Sequence, residues 1–546
     1  MDLQHKKAAC GFAQATPRFA AMKGFWHSRA GQARRATMLQ GPSNRRPNTA
    51  LHVMGLALIF VALGMAVCAL IELLSSNRDS VALVLGAIVC GGFGTMLWLR
   101  TRAGSTRARD VFAAVGWTWV TMTLFGAIPY LAAGTFATAG VGFFEQLVNS
   151  VFESASGYST TGSSTLVDFE RPGRGLMMYR QLSQWYGGMG IVVLAVTVLP
   201  YLGVGGLDLV AAEAPGPTSD RLAPRVSETA RRLWILYVLL TVAVAVLLFA
   251  VPGPTLYDSV AHALTTASTG GFSPYQTSIG YYDSVLVELV VIAGMLYGAI
   301  NFTLHWRAAG GDFAAYRRDS ELRSFVVLIL AAATSVIATL WICDSWGSIE
   351  AFRAGLFNVV SLGTSTGFGN ATDANSVGNF VLWAPAAQFV ILFLFVVGAS
   401  SGSTSGGIKV MRLRILVGHV IRSVRRVQQP RAVIAVKHGG TAVSEDVVSR
   451  LAGFFLIYVL LICFGVFALA ALGVDLETSI GTIVSTLGNM GPALGEAGPT
   501  ASFAEAFGVP ARLLLVVFML IGRLEIFPML LMFAAPYRAL RQKMSV

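Results

Sequence analysis

The chain has 546 residues, 55% of them hydrophobic and only 12% charged, and 40 Lys/Arg against 28 Asp/Glu give a formal net charge of +12. Soluble domains carry about 25% charged residues. With a mean hydropathy of +0.65, lipid is the solvent for most of this chain, which excludes a soluble enzyme, a fibre or a disordered protein as whole-chain readings.

Along the chain, residues 1–49 hold nine Lys/Arg and one Asp. No apolar h-region with a cleavage site follows these charges, so the segment reads as a basic, disordered cytoplasmic tail that can touch anionic lipid, with Met22 or Met38 as alternative starts. A helix pair is expected over 50–109, because the charge-free runs 51–71 and 80–99 each match the roughly 20 residues that cross a bilayer core. Four units follow, at 110–229, 230–320, 321–447 and 448–546. Runs 233–257, 324–343 and 451–474 are single spans. Runs 111–144, 181–207 and 374–408 exceed one span and must hold further elements. Runs 285–306 and 513–537 are apolar apart from Glu288 in the first and Arg523 and Glu525 in the second. The expected fold is an all-α polytopic membrane protein with ten full spans. The cysteines (Cys10, Cys68, Cys90, Cys343, Cys463) are odd in number and far apart, and read as small core residues.

With a cytoplasmic tail, the six inside segments hold 33 of the 40 Lys/Arg and the five outside segments only four. Such a bias places both termini inside. The longest inside linker, 409–450, carries nine of these charges, which orientation alone explains; a docking site for a cytosolic partner is the weaker alternative.

Four outside segments share one design: a half-apolar stretch, then Ser/Thr, then Gly. They are 152–162, 261–271, 357–367 and 481–491, with final glycines 109, 96 and 124 residues apart. A helix of about 12 residues covers roughly 18 Å, too little to cross the hydrocarbon. Each segment is therefore expected to dip in as a re-entrant pore helix and return as non-helical chain, which survives at membrane depth only when buried in protein or lining a wet cavity. Four such segments in a pseudo-fourfold repeat would line a pore. Helix C-termini and carbonyls turned inward by glycine would favour cations.

Within the third unit, the run 398–407 (Gly-Ala-Ser-Ser-Gly-Ser-Thr-Ser-Gly-Gly) cannot hold a rigid helix alone. It is expected to be a break at membrane depth, a flexible constriction containing Gly402, Ser403, Thr404, Ser405, Gly406 and Gly407; close packing through small residues is the competing reading. Lys409 beside it is explained by snorkelling. Arg523 stands near the middle of the last span, where a charge is costly in lipid. Facing the pore it would repel and meter cations; a structural pair with a residue of another helix is the alternative. Glu153 reads as a helix-supporting carboxylate.

These loops resemble the Trk/Ktr/HKT superfamily of potassium transporters, and within it the TrkH-type pore subunit, over about residues 50–540. The likeness also rests on Gln184-Trp185-Tyr186-Gly187-Gly188-Met189-Gly190-Ile191, on Ala212-Glu213-Ala214-Pro215-Gly216-Pro217, on Gly402 to Lys409 and on Gly522-Arg523-Leu524-Glu525. The helix pair before the first repeat is similar to that of the TrkH branch. The resemblance implies potassium-ion contacts from Thr160, Thr161 and Gly162, from Thr269, Gly270 and Gly271, from Ser365, Thr366 and Gly367, and from Asn489, Met490 and Gly491. The doubled Gly270-Gly271 leaves the second register open by one residue, and the fourth loop departs most from the Thr-rich pattern.

Glycine at all four filter positions implies potassium as the substrate; serine in the first loop of some HKT members goes with sodium. The resemblance further implies potassium uptake across the bacterial cytoplasmic membrane, a homodimer, and a cytosolic regulatory ring (TrkA-like) that binds NAD or ATP. No covalent cofactor and no nucleic acid partner are expected. The seven histidines show no metal-ligand spacing, and no nucleotide loop exists, so the chain is not expected to be an enzyme. A proton- or sodium-coupled carrier with alternating access is the alternative. It calls for inverted repeats and a mid-membrane carboxylate, whereas these repeats run in one direction.

Overall fold

The computed structural model describes residues 46–75, 78–102, 108–138, 140–202, 226–432, 434–439, 441–524 and 529. Residues 1–45 of the expected tail, the motif at 212–217 and Glu525 lie outside them. The principal helices are α1 (Thr49–Ser75), α2 (Ser80–Arg100), α3 (Ala108–Gly126), α4 (Phe143–Tyr158), α5 (Arg174–Leu202), α6 (Val226–Ala250), α7 (Leu256–Ala267), α8 (Val285–Ala299), α9 (Phe302–Ala309), α10 (Ser320–Ile342), α11 (Ser348–Gly363), α12 (Pro385–Val396), α13 (Val410–Gln428), α14 (Glu445–Ala471), α15 (Leu476–Gly488) and α16 (Val509–Leu524). After the α1–α2 hairpin, the order long helix, short helix, loop and further helix occurs four times. The short members are α4, α7, α11 and α15.

Local chemistry sets these boundaries. The short helix α7 opens with a capping box in which Thr255 and Asp258 satisfy each other's backbone N–H groups. Asp475 caps α15 by accepting from the Thr478 N–H at 2.9 Å, and Asp319 caps α10 by accepting from Leu322 at 2.7 Å.

Large apolar side chains cover the outside of the long helices, while the short helices bury polar ones. Leu63, Leu239, Leu330 and Phe467 are more than half exposed on the long helices, while Ser150, Glu153, Ser156, Thr265, Asn358, Ser361, Thr482 and Ser485 on the short helices are buried. Water as solvent selects the opposite arrangement. Among the described residues, five helices are long and apolar enough to cross a bilayer: α1, α2, α6 from Arg231, α10 and α14. The ten-span expectation draws its other members from α3, α5, the α8–α9 pair, α12 with the loop after it, and α16.

Two sequence expectations change. The run 285–306 is not one straight helix, since α8 and α9 meet at a bend of 100°. Ile300 is extended, and Asn301 starts a new helix by accepting from the Thr303 N–H at 2.8 Å. Of the cysteines, Cys68 and Cys90 are buried, whereas Cys343 and Cys463 are exposed; apolar surroundings in sequence do not separate a core face from a lipid face.

Helix is absent from 398–407, as its composition predicts. The break is closed at its neck, where Gly398 N–H donates to Ile408 O at 2.9 Å and Ile408 N–H donates to Val396 O at 3.0 Å. The loop is thus a tied excursion between α12 and α13.

Candidate functional site

Each of the four short helices ends in the same way. The N–H groups of Thr161, Gly270, Thr366 and Met490 donate to the carbonyls of Ser156, Thr265, Ser361 and Ser485, at 3.0, 2.9, 2.8 and 3.0 Å. One residue earlier, Thr160, Thr269, Ser365 and Asn489 donate to Gly157, Thr266, Leu362 and Thr486 at 3.0 to 3.3 Å. This is the paired bonding of a Schellman terminus, whose left-handed residue is usually glycine. Here that position is held by Thr160, Thr269, Ser365 and Asn489, with φ of 54°, 50°, 56° and 54°. Two residues later Gly162, Gly271, Gly367 and Gly491 are again left-handed, with φ of 90°, 81°, 81° and 96°. The matching dihedrals make Gly271, not Gly270, the counterpart of the other three glycines.

The loops close into a circuit. A Cβ on Gly162 would lie 2.5 Å from the Gly270 carbonyl oxygen, and one on Gly491 would lie 2.8 Å from that of Thr161; on Gly271 and Gly367 it would strike the carbonyls of Thr366 and Met490. Each loop therefore lays the carbonyl before its glycine against the glycine of the preceding loop, and the fourth contact returns to the first. Side chains add to the seam between loops 4 and 1, where Ser163 Oγ donates to Gly491 O at 2.8 Å and Asn489 Nδ2 donates to Thr161 Oγ1 at 2.9 Å. A cavity of about 60 Å³ lies against the ring and is lined by Gly162, Gly271, Gly367, Arg180, Ser273 and Pro492 among others.

The broken segment of the third unit packs against this ring. Ser365 Oγ accepts from the Gly406 N–H at 2.6 Å, and Thr269 Oγ1 donates to Thr404 Oγ1 at 3.3 Å. The α8–α9 bend receives the rest of the loop. Ser400 and Thr404 N–H groups donate to Ala299 and Gly298, and Phe302 N–H donates to Gly402 O at 3.2 Å. Ser403 Oγ bonds the Ser400 carbonyl and meets Ser405 Oγ at 2.8 Å. Gly407 abuts Gly398. Lys409 is not stretched away from the loop, because its ammonium turns back to the Ser405 carbonyl and to Ser405 Oγ.

Arg523 is buried. Its Nη1 donates to Thr404 O at 3.1 Å, and its Nη2 donates to Gly187 O at 2.7 Å and Gly188 O at 3.2 Å. The guanidinium therefore ties the end of α16 both to the broken segment and to α5. All twelve expected ion-contact residues thus fall in one ring, and the expected constriction and Arg523 fall together against it.

Some participants carry no role in the sequence reading. The Gln184 side chain donates to Gly270 O at 2.5 Å and accepts from the Phe272 N–H at 3.0 Å, so it grips loop 2 on both sides of Gly271. Glu321 Oε1 accepts from the Ser401 N–H at 2.8 Å, from Ser401 Oγ at 3.1 Å and from the Met411 N–H at 3.0 Å, joining the broken segment and the first turn of α13 to α10. For Gln184, an amide within the charge-free run 181–207, shared there with Gln181, is a usable signal. Glu321 has none, since in sequence it is indistinguishable from any acid in the first turn of a helix.

The profile of the TrkH family, described as a cation transport protein, matches residues 79–543. The chain belongs to the TrkH family. Membership makes it a transporter rather than an enzyme, and together with the exposed apolar helices it makes it an integral membrane protein. The chain is 38% identical over 494 residues to the Trk system potassium uptake protein TrkH of Halomonas elongata, an alignment covering 89% of this chain and 98% of that protein. It is 34% identical over 491 residues to the protein of the same name from Escherichia coli, covering 89% and 98%. The crystal structure of the potassium transporter TrkH from Vibrio parahaemolyticus matches with a TM-score of 0.77 and 33% sequence identity, over 88% of this chain and 97% of that one. This family is the TrkH-type branch that the sequence motifs resemble.

Proposed function

We propose that this chain is the membrane pore of a potassium uptake system. Ten spans and four re-entrant helices, in units 110–229, 230–320, 321–447 and 448–546 after the pair 50–109, surround one path. The observation that carries the reading is the closed circuit of four loops, each with a left-handed residue, a neighbour outside the left-handed region and then a left-handed glycine. Alternating hand turns successive peptide planes the same way, so that carbonyls from four loops can replace the hydration shell of a potassium ion. The relatives' designation as potassium uptake proteins supports the choice of ion.

Ions pass the loops formed by Thr160 to Gly162, Thr269 to Gly271, Ser365 to Gly367 and Asn489 to Gly491, then meet the segment 398–407. Arg523 latches that segment and places a positive charge beside the path; release of its bonds to Thr404, Gly187 and Gly188 opens the way. In the membrane the chain pairs as a homodimer with both termini cytoplasmic, and a cytosolic ring that binds NAD or ATP governs the latch. The relatives' naming as members of a Trk system accords with an assembly of several components.

The test is growth of an uptake-deficient bacterium on limiting potassium. The natural chain is expected to restore growth, and Gly162→Ser, whose Cβ must push loop 1 off the Gly270 carbonyl, is expected to restore it only at raised potassium and to fail when sodium is added. Equal growth of both strains under sodium would count against the ring as the ion-discriminating site.

A further inference from the structure

The region behind the ring has its own regularity. Counting back nine residues from each loop glycine gives Glu153, His262, Asn358 and Thr482, all buried on the four short helices. Three of them bond the chain that leaves their own loop. Glu153 accepts from the Thr165 N–H at 2.9 Å and from Ser164 Oγ at 3.0 Å. His262 Nδ1 donates to the Asp258 carbonyl at 2.9 Å, which leaves Nε2 to accept from Ser273 Oγ at 3.0 Å. Asn358 Nδ2 donates to Asn370 Oδ1 at 2.9 Å. The Thr482 hydroxyl has no partner among the described residues. One position thus carries an ionic brace, two neutral braces and none, so the pseudo-fourfold ring is supported unequally.

The ionic brace reaches further than the others. Arg180 Nε donates to Glu153 Oε1 at 2.5 Å, its Nη1 donates to Ser273 O at 2.9 Å, and its guanidinium lies 3.5 Å from the Phe272 ring centre. Phe272 and Ser273 follow Gly271 directly, so this one side chain couples loop 1 to loop 2. Both members of the pair are buried. A buried ion pair is a poor source of stability compared with apolar packing, but it is strongly directional, which suits a part that fixes a distance.

We propose that Glu153 and Arg180 are positioning residues for ion discrimination: the pair holds loops 1 and 2 at a fixed separation, so that their carbonyls do not close around an ion smaller than potassium. The proposal rests on the reading of the ring as a potassium filter. Neither residue is among the twelve loop residues expected to contact the ion. A filter supported from behind keeps its size, whereas an unsupported one relaxes onto sodium.

The experiment uses the full-length chain in liposomes, with rubidium influx measured against increasing external sodium. Glu153→Gln is expected to lower the rubidium-over-sodium preference about tenfold, the scale of one lost charge-assisted hydrogen bond, and Glu153→Asp is expected to recover part of it. The double variant Glu153→Leu with Arg180→Met removes the buried charges together. It is expected to keep the low preference even where its melting temperature returns to the natural value; a natural preference in this variant overturns the proposal, because stability alone would then be the role of the pair. Thr482→Val is expected to change nothing, and an equal loss there also overturns it. Should Glu153→Gln fail to insert, Thr165→Val removes the hydroxyl that donates to Glu153 Oε2 at 3.2 Å and leaves the backbone bond and the ion pair, with an expected loss of about threefold; no loss overturns the proposal. Retained preference in Glu153→Gln with lost preference in Gly162→Ser defeats the brace and leaves the filter standing. Retained preference in both defeats the filter itself.

Discussion

A loop glycine in this ring is required by its neighbour as much as by its own dihedrals. Gly367 and Gly271 leave no room for a Cβ because the next loop's carbonyl occupies that space. Glycine at these positions was legible in the sequence from the recurring Ser/Thr-Gly pattern. The left-handed Thr160 and Thr269 two residues earlier were not, since threonine seldom takes that conformation, at a cost of roughly 1–2 kcal/mol. At Thr269 the hydroxyl reaches Thr404 of the broken segment at 3.3 Å. Arg523 was legible as a costly mid-span charge, but its partners are backbone carbonyls, which no sequence pattern reports. Arg523→Ala is expected to raise rubidium influx several-fold, because it frees the segment 398–407 and removes the nearby charge; unchanged influx would contradict the latch. The same substitution leaves the carbonyls of Thr404, Gly187 and Gly188 without that donor, and a melting temperature lowered by the equivalent of about 1–3 kcal/mol is expected.

At the scale of elements, the broken segment and the α8–α9 bend form one unit. Composition announced the first, since ten residues of Gly, Ala, Ser and Thr cannot sustain a helix. The bend was hidden, because the run 285–306 has neither proline nor a cluster of turn residues. Asn301 is the one local signal, and it becomes meaningful only with Gly402 docked beside it. Asn301→Ala is expected to cost about 1 kcal/mol of stability, the usual loss for an N-cap, measured as the melting temperature in detergent. A loss confined to the cap would leave the flux unaltered, whereas the coupling described above predicts faster influx as well.

The cap of α15 offers a pH test. Hydrogen bonds from Thr478 hold the Asp475 carboxyl below its ordinary range. A depressed carboxylate stabilises the fold fully above its unfolded value of about 3.9 and loses that contribution as pH falls through the folded value. Asp475→Asn, which keeps a capping oxygen without the charge, is therefore expected to melt lower than the natural chain at pH 7, and the difference is expected to shrink as pH falls below about 3.9 and through the folded value. A constant difference across that range would contradict the assignment.

For the molecule as a whole, the charge count and the low charged fraction identified lipid as the solvent, and the exposed Leu63, Leu239, Leu330 and Phe467 agree with it. The fourfold order of helices was readable because each unit repeats the same short polar helix. The circuit between units was not, since each approach of a loop glycine to a neighbouring loop's carbonyl joins main-chain atoms about a hundred positions apart or more, and among the described residues only the seam between loops 4 and 1 adds side-chain bonds. The unequal support of the ring has the same origin: Glu153, His262, Asn358 and Thr482 share a register but no common chemistry.

The central claim is that four loops form one ion-selective ring, and influx of rubidium into liposomes holding the purified full-length chain tests it most directly. The account predicts influx that external potassium suppresses at concentrations where sodium does not, and that loses this distinction in Gly162→Ser. Influx suppressed equally by sodium and potassium in the natural chain, or no influx above empty liposomes, would contradict it.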